Sequence, residues 1–257
     1  MTMKKIIIFS CFILLVPFTA KSQKSVMDEY AFDCFIGVTA GVGLVYYTGS
    51  FLLFGDEVDC EPYHFQTNTE FQTNFLFGLR GELKISKHFD IYVSLLYEDR
   101  SAKFDPLDYA LYEYISDEKP FELTSFKQEL DAKINIFSIN PMIKYRPFDF
   151  DFSILVGPSF AYIVSDELDS KEWILEPADF VYKESGERER TIYSGKIAPK
   201  NSFLFDLKLG LNCGLMITKQ IKLSPEVFYV YPLMKVSSEG DWKISSIQFL
   251  LSLSYRF

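Results

Sequence analysis

From Phe32 onward, apolar and polar residues alternate with period two in eight separate stretches. Successive side chains of a strand point to opposite faces, so such alternation predicts β-strands that are apolar on one side and polar on the other. In the first stretch Phe32, Cys34, Ile36, Val38, Ala40, Val42, Leu44 and Tyr46 share one face, opposite Asp33, Gly37, Thr39, Gly41 and Gly43. The second runs from Phe71 to Ile85 and opposes its Phe and Leu residues to Gln72, Asn74, Arg80, Glu82 and Lys84. The third sets Phe89, Ile91, Val93, Leu95 and Tyr97 against Asp90, Ser94, Glu98 and Arg100. The fifth (Phe150 to Val164), sixth (Phe203 to Ile217), seventh (Ile221 to Leu233) and eighth (Ile247 to Phe257) follow the same rule. The fourth changes phase: Leu130, Ala132, Ile134 and Ile136 hold the apolar face, and Phe137, Ile139, Ile143 and Tyr145 then take it over. A β-bulge near Ile136 would bring both halves onto one face.

The connections alternate in length. Short turns fall at Ser86-Lys87-His88, Arg146 to Asp149 and Lys219-Gln220, and long ones at about residues 48–70, 100–129, 165–200 and 236–242. Alternating short turns and long loops are the habit of transmembrane barrels. The expected fold is therefore all-β: an eight-stranded antiparallel up-and-down transmembrane β-barrel with long extracellular loops. A soluble eight-stranded barrel would carry its apolar face inside. Here the polar face holds eight acids and nine bases, among them Arg80, Glu82, Asp131, Lys133, Asp206, Lys208 and Glu226, while the apolar face is nearly free of charge. A charge facing mid-bilayer costs up to about 2–4 kcal/mol, so the apolar face is the one expected to meet lipid. Those seven residues are the expected ion-pair network of the lumen.

The two ends fit the same picture. Met1 to Lys5 is basic, Ile6 to Phe18 is apolar apart from Ser10, and Ala20 and Ser22 fit a small-x-small cleavage site. That pattern is a secretory signal, and its apolar run falls short of the roughly 20 residues a permanent helical span needs. Residues 1–22 are expected to be cleaved, with Gln23 as the mature start, 23–31 a short periplasmic segment and 32–257 the barrel. Phe9-Ser10-Cys11 is a poor lipobox, so no lipid anchor is expected there. The last strand, with Tyr255 and terminal Phe257 on its apolar face, looks like the signal by which barrels are recognised for insertion. The expected location is the outer membrane, as an integral protein with both termini periplasmic and the long loops extracellular.

Charge removes one class of partner. Loss of Lys4, Lys5 and Lys21 leaves 23 basic residues against 35 acidic, a net charge near −12. Phosphate binding needs clustered Lys and Arg, so nucleic acid is not an expected partner. Cys34, Cys60 and Cys213 are an odd set that cannot pair completely, and with two histidines in the chain no metal-ligand spacing occurs. No metal and no cofactor are expected.

Several segments resemble the PorT-like outer-membrane β-barrels of Bacteroidetes-type bacteria: Phe35-Ile-Gly-Val-Thr-Ala-Gly41, Ser138-Ile-Asn-Pro-Met-Ile-Lys-Tyr145, Gly157-Pro-Ser-Phe-Ala-Tyr162 and the tail Ser246–Phe257. The resemblance covers nearly all of residues 28–257. It implies location and fold; the family's functions are diverse, and one branch resembles a component of a protein-secretion apparatus.

No residue set stands out as catalytic. His64 lies in the first long loop near Asp59, Glu61 and Glu70, and His88 in a predicted periplasmic turn, too far apart to share a site. An eight-stranded barrel is only wide enough for side chains to fill, which argues against a diffusion pore. The long loops are aromatic as well as acidic, and Tyr109, Tyr112, Tyr114, Trp173, Phe180 and Tyr182 are the candidate recognition residues. The function expected is a non-enzymatic barrel for envelope structure or partner recognition, within a secretion assembly or outside one. A lipid-modifying enzyme and a narrow channel are the alternatives. Expected partners are outer-membrane lipid and lipopolysaccharide, the barrel-insertion machinery, and other envelope or secretion proteins.

Overall fold

The computed structural model describes residues 33–52, 64–66, 72–104, 107–113, 122–148, 150–182, 185–238 and 241–257. The expected signal segment and mature start, Cys60 and Tyr114 lie outside the described residues. Eight long strands form the frame: β1 (Cys34–Thr48), β2 (Gln72–Lys84), β3 (Phe89–Asp99), β4 (Glu122–Tyr145), β5 (Phe152–Glu176), β6 (Phe203–Cys213), β7 (Ile221–Pro232) and β8 (Lys243–Arg256). Each pairs antiparallel with its chain neighbours, and β8 pairs with β1 to close the ring. Closure removes the unpaired edges that an open sheet would present.

Alternation sets the two surfaces. Outward side chains form an apolar belt, with Phe75 and Phe257 each 73% exposed and Phe203 68%, while inward Arg80, Lys144, Glu226 and Lys222 are buried. An apolar outside around a polar inside is the arrangement of a barrel set in lipid. Cys34 and Cys213 are free, half-buried thiols on strands that do not pair with each other.

The fourth strand differs from the sequence expectation. β4 alternates without a break, and Leu130, Ile134, Ile136, Ser138, Asn140 and Lys144 all point inward, each fully buried. The irregularity belongs to β5: the β4–β5 register shifts between Asn135 and Ile136, whose partners Ser165 and Ile163 leave Val164 as the extra residue. Apolar residues change faces along β4 because the surroundings change, not because the backbone slips. Below Ile136 the outside is hydrocarbon, so apolar residues face out. Above it the outside is water, so they face in. Leu130, Ala132, Ile134 and Ile136 are therefore not part of the belt, and Asp131 and Lys133 lie on the outer face of β4, outside the lumen.

β4 and β5 thus continue well beyond the belt. Leu107–Glu113 adds to the free edge of β4 and Glu189–Gly195 to that of β5, which makes a four-stranded sheet at the loop end. Ala102–Lys103 also pairs with β4, and a separate hairpin joins Ser50–Leu52 to His64–Gln66.

Candidate functional site: the lumen, its cap and the loop-end sheet

Inward residues of β2, β4 and β7 meet at Glu82. Its carboxylate accepts from Arg80 at 2.6 Å, Lys144 Nζ at 2.9 Å and Lys222 Nζ at 2.8 Å. Arg80 also donates to Glu226 at 2.6 Å, and Glu226 accepts further from Asn212 at 2.8 Å, Tyr92 at 3.1 Å and Ser252 at 3.2 Å. A second network lies towards the loop end. Glu98 accepts from Arg100, Ser138 and Gln248, and Arg100 donates to Asp206 at 3.0 Å. Burying a charge is costly unless it is paired and hydrogen-bonded, and the carboxylates of both networks are held in that way, whereas Arg80 Nε and Lys208 Nζ are buried without a hydrogen-bond partner.

The two networks are separated by an apolar layer of Leu76, Tyr92, Leu96, Met142, Leu155, Phe228 and Leu250. Gly210 makes room for it: a Cβ there would stand 2.2 Å from the Phe228 ring. Lys208 Nζ lies 4.7 Å from the centroid of that ring.

Of the seven residues expected in the lumen, Arg80, Glu82 and Glu226 come together, Asp206 joins Arg100, and Lys208 sits beside Phe228. Asp131 and Lys133 do not join them. Asp131 pairs with Lys103 at 3.1 Å, and Lys133 with Glu167 at 3.0 Å and Asp169 at 3.5 Å, on the water-facing side of the loop-end sheet. Lys144, Lys222, Glu98 and Arg100 complete the networks. Alternation puts all four on the polar face, but nothing in the sequence says which of them meet across the lumen.

Above the second network the lumen is closed by side chains from several strands and connections. Trp242 is fully buried, with its ring 5.3 Å from Tyr47 and 5.8 Å from Phe104, among Leu130, Ile134, Leu168 and Val236. The Tyr47 hydroxyl donates to the Arg100 carbonyl at 2.6 Å, tying this cap to the network beneath it. Residues 196–201 cross the cap as a strap held by Asp166, which accepts from the Ile197 amide at 2.8 Å and pairs with Lys200.

The loop-end sheet has two unlike faces. Its outer face is a ladder of opposite charges. There a hydrogen bond to Glu189 raises the Lys171 ammonium above its ordinary value, and the same bond lowers the Glu189 carboxylate. Inside, Phe126, Ile174 and Phe180 form a small core flanked by Tyr182. Phe180 is thus 9% exposed and unavailable for recognition, because the loop aromatics bury one another. Tyr182 donates to Glu172 at 2.7 Å, and Arg190 lies 4.5 Å over the Tyr182 ring. Trp173 is half-buried and donates to Glu189 at 3.2 Å. Tyr109 and Tyr112 lie on Leu107–Glu113, with side chains outside the described residues. At the opposite end of the barrel, Tyr255 and Phe257 are exposed and meet edge to face at 5.1 Å.

Residues 33–238 match the family of the outer membrane protein beta-barrel domain. This chain belongs to that family. The barrel is accordingly an outer-membrane barrel, and its apolar belt is the surface that meets lipid. Among solved structures it is similar to Ail, the attachment invasion locus protein of Yersinia pestis, at 9% identity and TM-score 0.37, with 87% of this chain and 98% of that one covered. It is similar to the outer membrane protein OprG from Pseudomonas aeruginosa at 11% identity and TM-score 0.38, with 88% and 96% covered. It is also similar to Neisserial surface protein A at 12% identity and TM-score 0.35, with 87% and 97% covered. Comparison with curated proteins gives no match. Among the described residues no group of three or more His, Cys, Asp and Glu is placed to hold a metal ion.

Proposed function

We propose that this outer-membrane barrel is a sealed, non-enzymatic scaffold that presents a recognition sheet above the membrane to another envelope protein. The observation that carries this reading is the pairing of a closed mouth with strands that continue beyond it. β4 and β5 rise out of the belt and gain an edge strand on each side, while the lumen beneath them is filled. A pore needs an open lumen, and a barrel used only as an anchor has no need of such a sheet. Loops raised on a rigid barrel are where function usually resides.

In this reading the short turns and both termini face the periplasm and the loop-end sheet faces outward. The expected residues Trp173 and Tyr182 serve within it as supports for the charged outer face. His88 sits in a turn with Nδ1 3.1 Å from the Arg146 carbonyl, and His64 lies on a hairpin at the other end of the strands, which supports a non-enzymatic role. The motifs at Phe35–Gly41 and Ser138–Tyr145 support membership of the PorT-like branch, and with it an envelope or secretion assembly as the partner.

Cross-linking in intact cells tests the proposal. Photo-reactive groups attached at Lys133→Cys and Lys171→Cys, on the outer face of the sheet, should give one common protein adduct that His88→Cys, at the turn end, does not. If the sheet positions yield no protein adduct, or the same adducts as the turn, the recognition reading falls.

A further inference from the structure

Among the described residues, the outer surface of the belt has an open hollow beside Ala40. On β1 the outward residues Ile36, Val38, Val42 and Leu44 are branched, whereas the outward residue between them, Ala40, is a single methyl group. Ala40 pairs with Phe77 of β2 on one side and Leu251 of β8 on the other. With Leu79 and Leu253 standing beside them and Leu223 at the far side, these residues enclose an open trough of about 690 Å³. Val38 also lines the trough, and Ala40 contributes only its methyl group.

The position of the trough says what fills it. Ile36–Tyr46 is an eleven-residue stretch, the length of about 9–11 residues that a tilted strand needs to cross a bilayer. Ala40 therefore sits close to the middle of the hydrocarbon. An apolar hollow there does not hold water, and leaving it empty forfeits dispersion contacts along its whole lining. An acyl chain is the filler that the medium supplies.

A second observation places the other end of the lipid. Tyr46 of β1 stands opposite Ser245 of β8 and Tyr229 of β7 opposite its Ile247, and their hydroxyls meet across β8 at 2.9 Å. The pair lies roughly 20 Å along the strand from Ala40. Phenolic hydroxyls both donate and accept, so they suit the phosphate, sugar or ester oxygens where a headgroup meets the hydrocarbon. An acyl chain that starts at this depth ends near mid-bilayer, where the trough lies.

We propose that β1, β2, β7 and β8 carry a site for one lipid of the loop-side leaflet, with its headgroup at the Tyr46–Tyr229 pair and an acyl chain in the trough over Ala40. With the loop end outward, a step that rests on the orientation proposed above, that lipid is the lipid A portion of lipopolysaccharide.

The test is native mass spectrometry of the full barrel, stripped of lipid in detergent and then offered lipid A or phosphatidylethanolamine separately. Wild type should retain one lipid A. Ala40→Phe, which fills the trough, should weaken retention about tenfold or more, the effect of losing a few buried methylenes. Tyr46→Phe with Tyr229→Phe keeps both rings and should weaken retention as well. Ala40→Leu serves in place of Ala40→Phe if the larger side chain prevents folding. Equal retention by wild type and the Ala40 variant overturns the site, as does retention of neither lipid by wild type. A dimer that the Ala40 variant dissolves overturns it too, by making the trough a protein interface. Phosphatidylethanolamine retained in place of lipid A, with the same sensitivity at Ala40, keeps the trough and overturns the orientation on which the lipid A assignment rests.

Discussion

Glu82 accepts from three cations on three strands, so neutralising it strands more charge than it removes. Breaking a buried ion pair by removing one partner costs about 3–5 kcal/mol, because the other charge stays buried without compensation. Glu82→Gln should therefore destabilise the barrel by about that amount, read as an earlier unfolding midpoint in urea with the protein in lipid vesicles. Lys133→Ala provides the contrast: its side chain is 57% exposed, and its pairs with Glu167 and Asp169 face water. Exposed pairs contribute about 0–1 kcal/mol, so that midpoint should barely move. Equal losses from the two would mean that the lumen network is not the charged core of the fold. At this scale the sequence is informative about facing and silent about pairing. Alternation alone puts Arg80, Glu82 and Glu226 on the polar side. That Glu82 also meets Lys144 and Lys222 depends on which strands face each other across the lumen, a distance between residues 62 and 140 positions apart in the chain.

One strand can obey a single backbone rule and still swap its apolar face, as β4 does. Its inward positions are Leu130, Ala132, Ile134 and Ile136 in the upper part and Ser138, Asn140 and Lys144 below, all on one unbroken alternation. The eight-strand count, the turn pattern and the belt are legible because each rests on local alternation. The phase of the strands in the loop-end sheet is not, because identical alternation describes a strand in lipid and, one residue out of phase, a strand in water. Asp131 and Lys133 were expected in the lumen for that reason. The same substitution five residues apart should consequently do different things. Ile139→Lys puts an ammonium on the lipid face, at a cost of about 2–4 kcal/mol near mid-bilayer, and should lower the yield of folding into vesicles. Ile134→Lys buries its charge in the cap and should leave insertion intact while loosening the packing around Trp242. The chain has two tryptophans, so in a Trp173→Phe background Trp242 emission reports the cap alone. A red shift with Ile134→Lys and none with Ile139→Lys is the expected pattern, and the reverse would sink the assignment of the upper part of β4 to water.

Across the whole molecule, the lumen is closed more than once. From the turn end it passes the Glu82 network, the Phe228 layer, the Glu98 network and the Trp242 cap, and each is built from residues of several strands or connections. Strand number alone implies a narrow interior. The cap, in contrast, draws Tyr47 from β1, Phe104 from the connection after β3 and Trp242 from the approach to β8, a meeting that no local pattern announces. Serial closure has a consequence that a single plug would not have. Wild type should show no unitary conductance in planar bilayers, and neither should Trp242→Ala, which opens the cap. The ion-paired layers still occupy the cross-section beneath, and the apolar layer between them resists wetting. Conductance in wild type would return the channel reading to first place. Conductance in Trp242→Ala alone would mean that the lower layers yield to water once the cap is gone, so that the loop-end segments, rather than the charged lumen, are what keeps the barrel shut.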